Sequence, residues 1–156
     1  MEKEEKMRCL LIALLSSFIF SLEENNISKH HVSIGMLDDR TGFSMIGYTY
    51  NIKQDTMNEY FIGGGTMLLA FTATAGWKHY YRKSKLSISS VLSGQYVAHM
   101  GFMGFLPTVS LTLEYNPIEW IELKFGAWGF TLLGGTSDES GGHSGILPFM
   151  ALNFQF

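Results

Sequence analysis

From about Ser28 to its last residue the chain alternates apolar and polar side chains again and again, broken only by clusters of turn-forming residues. Alternation with period two puts each kind of side chain on its own face of a strand, and no stretch of this region sustains the i, i+3, i+4 spacing of an amphipathic helix. The spacing therefore predicts an all-β fold. Eight segments carry it: His31–Leu37, Phe43–Ile52, Glu59–Thr66, Leu69–Tyr81, Lys85–His99, Leu106–Tyr115, Trp120–Phe130 and Ile146–Phe156. Between them lie DDRTG at 38–42, KQDTMN at 53–58, a break at Gly65–Leu68, RKSK at 82–85, MGFMGF at 100–105, NPIE at 116–119 and the glycine-rich LLGGTSDESGGHSG at 132–145. If Gly65–Leu68 is not a turn, seven strands remain and one is very long.

The most regular row comes last, where most chains fray. In ILPFMALNFQF, the residues Ile146, Met150, Leu152, Phe154 and Phe156 share one parity, interrupted only by Pro148. Something must cover that row. Pairing the last strand with the first closes the sheet and leaves no open edge, so the expected architecture is an eight-stranded antiparallel up-and-down barrel.

The polar rows decide which face looks outward. In the fifth segment Leu86, Ile88, Leu92, Tyr96 and Ala98 oppose Ser87, Ser89, Ser93, Gln95 and His99; in the sixth, Val109, Leu111, Leu113 and Tyr115 oppose Thr108, Ser110, Thr112 and Glu114. A water-exposed sheet face normally carries Lys and Glu. Small hydroxyl side chains instead suit a narrow lumen that must be filled. The apolar rows are then left to face hydrocarbon, and strands of about 9–11 residues are long enough to cross it when tilted, which makes the barrel transmembrane. The expected lumen is full, with no wide pore. Aromatic residues fit the same picture. The topology gathers Tyr50, Tyr60, Trp77, Tyr81, Tyr115, Trp120, Phe154 and Phe156 at one rim, as an interfacial belt requires. A thinner group, Phe43, Phe71, Phe105 and Trp128, is assigned to the opposite rim.

Ahead of this region Lys6 and Arg8 precede a segment that is uncharged from Cys9 to Leu22. That is the pattern of a secretory signal peptide, so 1–22 is read as the signal and 23–156 as the barrel, with Ser21 the best cleavage position. An uncleaved anchor or a buried core segment is the alternative. Cys9 is the single cysteine, so a mature chain has no disulfide, thiolate metal site or cysteine nucleophile. A net charge of −3 with Lys and Arg scattered excludes a nucleic-acid footprint.

Candidate chemistry is sparse. On the inward row, a hairpin at NPIE sets Glu114 against Glu122 and Thr112 against Lys124, with Lys78 able to compensate from the fourth strand. This cluster is either a proton or ion relay or a charge-paired filling of the lumen, and the filling is the favoured reading. His143 lies near Asp138 and Glu139 in the long loop, an arrangement commoner in solvated loops than in metal sites. No metal and no cofactor is expected.

The closing stripe Met150, Leu152, Phe154, Phe156 resembles the C-terminal assembly signal of bacterial outer-membrane β-barrel proteins. The resemblance implies an outer-membrane location in a Gram-negative cell, insertion by the barrel assembly machinery, outer-membrane lipids as partners and a monomer. The stretches GMLDDRTGFSMIGYTYNIKQDTMNEY, LPTVSLTLEYNPIEWIELKFGAWG and NFQF are similar to the lipid A palmitoyltransferase family, whose active site is described as His, Asp and Ser. Carried over, Asp55 matches the Asp and Thr56 the Ser; no residue matches the family's His, and His31 or His30, expected at the same end as Asp55, is the candidate in its place. Three functions follow: a structural or surface-interaction barrel, a lipid A acyltransferase-like enzyme, and a soluble periplasmic lipid-binding barrel whose Leu86, Ile88, Leu92 row points inward. The reading leans away from an enzyme.

Overall fold

The structure is a computed structural model that describes residues 29–99, 102–133 and 143–156. Its strands are β1 (His30–Met36), β2 (Ile46–Gln54), β3 (Asn58–Met67), β4 (Ala70–Arg82), β5 (Leu86–His99), β6 (Phe102–Ile118), β7 (Ile121–Leu132) and β8 (His143–Gln155). They form one closed ring in which each strand is antiparallel to its neighbours in sequence and β8 returns to β1. The proposed signal segment, Asp138 and Glu139 lie outside the described residues. Among the described residues no helix is long and apolar enough to cross a membrane.

The break after Gly65 is a turn, which settles the strand number at eight. It is tight: Met67 pairs with Ala70, and Leu68 takes a φ of 53° to reverse the chain. Non-glycine residues rarely adopt this left-handed conformation. The end strands close the ring through His30 and Phe156, which exchange two backbone hydrogen bonds of 2.9 Å each. His30 and Phe156 also stack at 5.8 Å. The start of β1 and the end of β8 therefore share one mouth, the terminus-bearing one, with the β2–β3, β4–β5 and β6–β7 turns; the other connections lie at the far mouth.

Every strand puts one parity outside. Leu86, Ile88, Leu92, Leu111, Leu113 and Met150 are exposed on the outer wall, whereas Ser87, Ser89, Ser93, Thr108 and Thr112 are buried inside. The row Leu86, Ile88, Leu92 thus points away from the lumen, opposite to the arrangement a soluble lipid-binding barrel requires. Of the aromatics assigned to the terminus-bearing rim, none is buried; Trp120 stacks on Phe154 at 6.3 Å.

Three expectations need correction. DDRTG is not a hairpin turn at a rim: residues 37–44 fold back into the barrel, and Asp38, Asp39, Arg40 and Thr41 are each at most 3% exposed. Trp128 does not mark the outer rim but points into the lumen, where it joins Leu37, Val97, Leu106 and Phe149, with Phe43 packed against them. Its parity is that of Lys124 and Glu122, which decides its side. The β6–β7 hairpin, finally, is tighter than NPIE suggested. Ile118 pairs with Ile121, a bulge between Tyr115 and Ile118 takes up the slack, and Glu114 comes to sit opposite Lys124 and Thr112 opposite Gly126.

Candidate functional site

The lumen is built in layers. At the far mouth lies the apolar cluster around Trp128. Beneath it, the inward loop 37–44 meets a layer of charged side chains from four strands, β3, β4, β6 and β7. Small residues make the space: a Cβ on Gly47 would meet the Thr41 side chain at 2.5 Å, and one on Gly65 would meet Ser44 Cβ at 2.5 Å. The loop turns at Gly42, whose φ of 61° favours glycine and whose missing side chain leaves room for the Gln95 amide. Asp38 organises the loop locally, its Oδ2 accepting from the Arg40 and Thr41 amides at 3.3 and 3.2 Å.

Charge holds the loop in place. Lys124 Nζ reaches Asp39 Oδ1 at 2.7 Å and Asp38 Oδ1 at 3.3 Å, and lies 3.6 Å from Glu122. Lys78 Nζ lies 2.5 Å from Glu114 and 3.5 Å from Asp39 Oδ2. Ser89 donates to the same Glu114 oxygen at 2.6 Å, and Asn153 donates to Glu122 at 2.7 Å. Arg40 points the other way, pairing with Glu59 and donating to Asn51 Oδ1 at 2.8 Å. Lys124 to Asp39 and Arg40 to Asn51, at 2.7 and 2.8 Å, are short and charge-assisted, the geometry in which buried ions are tolerated, while the contacts at 3.3–3.6 Å add longer-range attraction. Among the described residues, three buried cations face five buried carboxylates, a formal excess of two negative charges.

Within the loop the two aspartates respond differently. Burial raises the carboxyl of Asp38, and its single close lysine, Lys124, does not fully oppose it. Burial acts on Asp39 in the same direction, but Lys124, Lys78 and Arg40 together overcome it and hold that carboxyl well below the usual range.

The interior charges Glu114, Glu122, Lys124 and Lys78 thus meet in one layer. The three residues proposed from the acyltransferase resemblance do not. His31 is buried in the lumen between Asn51 at 3.1 Å and Asn153 at 3.3 Å, while Asp55 and Thr56 are exposed on the β2–β3 turn, where Asp55 N–H donates to Asn58 O at 2.7 Å. His143 is exposed at the start of β8. No group of three or more His, Cys, Asp or Glu among the described residues is arranged to hold a metal ion.

Two concave features flank the charged layer. Below it, a polar cavity of about 620 Å³ at the terminus-bearing mouth is lined by Glu59, Tyr80, Lys83, Asn116 and Glu122. On the outer wall, a groove of about 540 Å³ runs past Pro107, Val109, Gly129, Phe130 and Ile146. The β6–β7 ladder is interrupted beside it. Phe105 and Leu133 exchange hydrogen bonds of 3.0 and 2.8 Å, and pairing resumes only at Thr108 and Phe130. Pro107, two residues after Phe105, has the same backbone direction and faces β7 with no N–H to give.

Compared with protein-family models, curated proteins and solved structures, the chain matches none.

Proposed function

We propose that the chain is a small outer-membrane β-barrel with a structural or surface-interaction role, inserted by the barrel assembly machinery and closed to passage by its own β1–β2 loop. The observation that carries this reading is the inversion of the usual globular pattern. The outer wall is apolar on every strand, with a belt of Tyr and Trp at one rim, whereas lysine, arginine and carboxylates are buried inside. Such a wall in water would be an exposed apolar patch far larger than soluble monomers carry. The filled lumen excludes a wide pore, since loop 37–44 and its partners occupy the cross-section. The tests are extraction and mobility: the chain should stay with outer membranes through a carbonate wash and migrate differently on gels before and after heating. A freely soluble monomer would overturn the reading.

A second reading, a barrel that acts on lipid acyl chains, draws on the interrupted β6–β7 ladder beside an apolar groove and on the apolar layer behind it. It predicts acyl transfer or hydrolysis in mixed micelles that is abolished by substitutions at His31, Asp55 or Thr56. The separation of those residues from the groove is why it ranks second.

A further inference from the structure

Among the described residues, the Lys and Arg side chains outside the lumen are all at one end. Within 29–156, Arg40, Lys78 and Lys124 are luminal, and the rest are Lys29, Lys53, Arg82, Lys83 and Lys85, every one of them exposed at the terminus-bearing mouth. Among the described residues, the connections at the far mouth contain no Lys or Arg outside the lumen.

At their own end the five cations do not surround the mouth evenly. Lys29 precedes β1, Lys53 lies near the end of β2, and Arg82, Lys83 and Lys85 belong to the β4–β5 turn; Lys83 reaches back to Glu59 of β3 at 3.3 Å, which ties the two turns together. They form an arc over β1 to β5. Among the described residues, Asp55 is its one acidic side chain besides the buried Glu59. The opposite arc, from β6 to β8, carries no Lys or Arg among the described residues and holds Glu119, whose carbonyl accepts from Gln155 at 3.0 Å. Aromatic side chains that mark a headgroup zone, Tyr60, Trp77 and Tyr81, lie on the same arc as the cations.

Resting on the membrane reading above, we propose that this arc binds the phosphate headgroups of anionic phospholipids in the leaflet at the terminus-bearing mouth. Flexible ammonium and guanidinium groups beside an interfacial aromatic belt are placed at the depth of those phosphates, and clustered Lys and Arg recognise an anionic surface by charge rather than shape. With no Lys or Arg outside the lumen among the described residues of the far mouth, the arc gives the barrel a polarity across the bilayer.

The protein supplies its own reporters. Trp77 sits on the cationic arc, Trp120 on the opposite one, and Trp128 is inside the lumen, shielded from lipid. The chain is refolded into phosphatidylcholine vesicles containing brominated phosphatidylglycerol, and quenching is measured for Trp120→Phe, which leaves Trp77 to report, and for Trp77→Phe, which leaves Trp120. Expected is a preference for the anionic lipid of about fivefold or more at Trp77 and near unity at Trp120. The preference should vanish in the Lys53→Gln, Arg82→Gln, Lys83→Gln, Lys85→Gln variant, and in about 1 M salt, where the screening length is about 3 Å. These are exposed positions, and heat-modifiable migration checks that the variant still folds. Equal preference at the two tryptophans, none at Trp77, or displacement by inorganic phosphate at matched ionic strength overturns the proposal. Failure to enter neutral vesicles at all would instead overturn the membrane reading on which it rests.

Discussion

Replacing Lys124 by Met should be among the most damaging single changes in this chain. The side chain is fully buried and its ammonium lies within 3.6 Å of three carboxylates, on Asp38, Asp39 and Glu122. Methionine fills nearly the same space, so packing is little disturbed and the loss is electrostatic. The luminal excess rises from two negative charges to three, with Asp38 left without a cation within 4 Å among the described residues. Removing one partner of a buried ion pair costs roughly 3–5 kcal/mol, and that is the expected loss. The assay is urea unfolding in phosphatidylcholine vesicles, followed by tryptophan fluorescence. Trypsin gives an independent readout: Arg40 is sealed in the lumen in the native chain, and an expelled loop should be cut after it. Adding Asp39→Asn to the same chain restores the former charge excess. The double variant should therefore be more stable than the sum of the two single losses by at least about 1 kcal/mol. A Lys124→Met loss below about 1 kcal/mol, or strict additivity, would refute the idea that these ion pairs hold the loop inside.

Gly42→Val places a side chain where the Gln95 amide now lies, at a φ that β-branched residues avoid, and should release the loop with a loss of about 1–3 kcal/mol, again detected as new cleavage after Arg40. The depressed carboxyl of Asp39 contributes stability that is fully present above the ordinary carboxylate value near pH 4 and is lost as the pH falls from there through its lower native value; acid titration of the Arg40 cleavage should show this, and Asp39→Asn should remove it. Pro107→Ala supplies the amide that β6 lacks opposite Thr131, so hydrogen exchange should reveal a newly protected amide at position 107, with stability raised by about 0.5–1.5 kcal/mol.

Much of the barrel could be read from parity alone. The closing strand was legible because an apolar row at a chain end demands a partner, and Ser87, Ser89 and Thr112 could be sent inside because a hydroxyl row without Lys or Glu is a poor water-facing surface. The same parity put Glu114, Glu122, Lys124 and Lys78 in the lumen. The inward loop was not legible. DDRTG contains the residues that mark exposed turns, and sending two aspartates and an arginine into a lumen makes sense only once Lys78, Lys124 and Glu59 are known to converge there. A hint was present in Gly47, Gly63 and Gly65, which leave one stretch of the inner wall bare and call for something to fill it. The β6–β7 register failed for a different reason: a bulge beside Pro117 shifts pairing by two residues, and alternation is blind to even shifts. Trp128 was misplaced because nearness to a rim was allowed to outweigh its parity with Lys124. Asp55 and Thr56 depended on a short matching stretch that fixes neighbours in sequence but not which way each side chain turns, and His31, outside that stretch, on nothing but the end of the barrel it shares with Asp55.

The mutual clasp of His30 and Phe156 has a temporal consequence. Translation delivers β1 well before its β8 neighbour, so the seam cannot be sewn until β8 has been made, and until then both margins of the sheet stand unpaired. The chain must be kept unzipped and escorted throughout that interval. Losing the residues of β8 that face β1 would strand it there, with the rest of the wall made and nothing to fasten it.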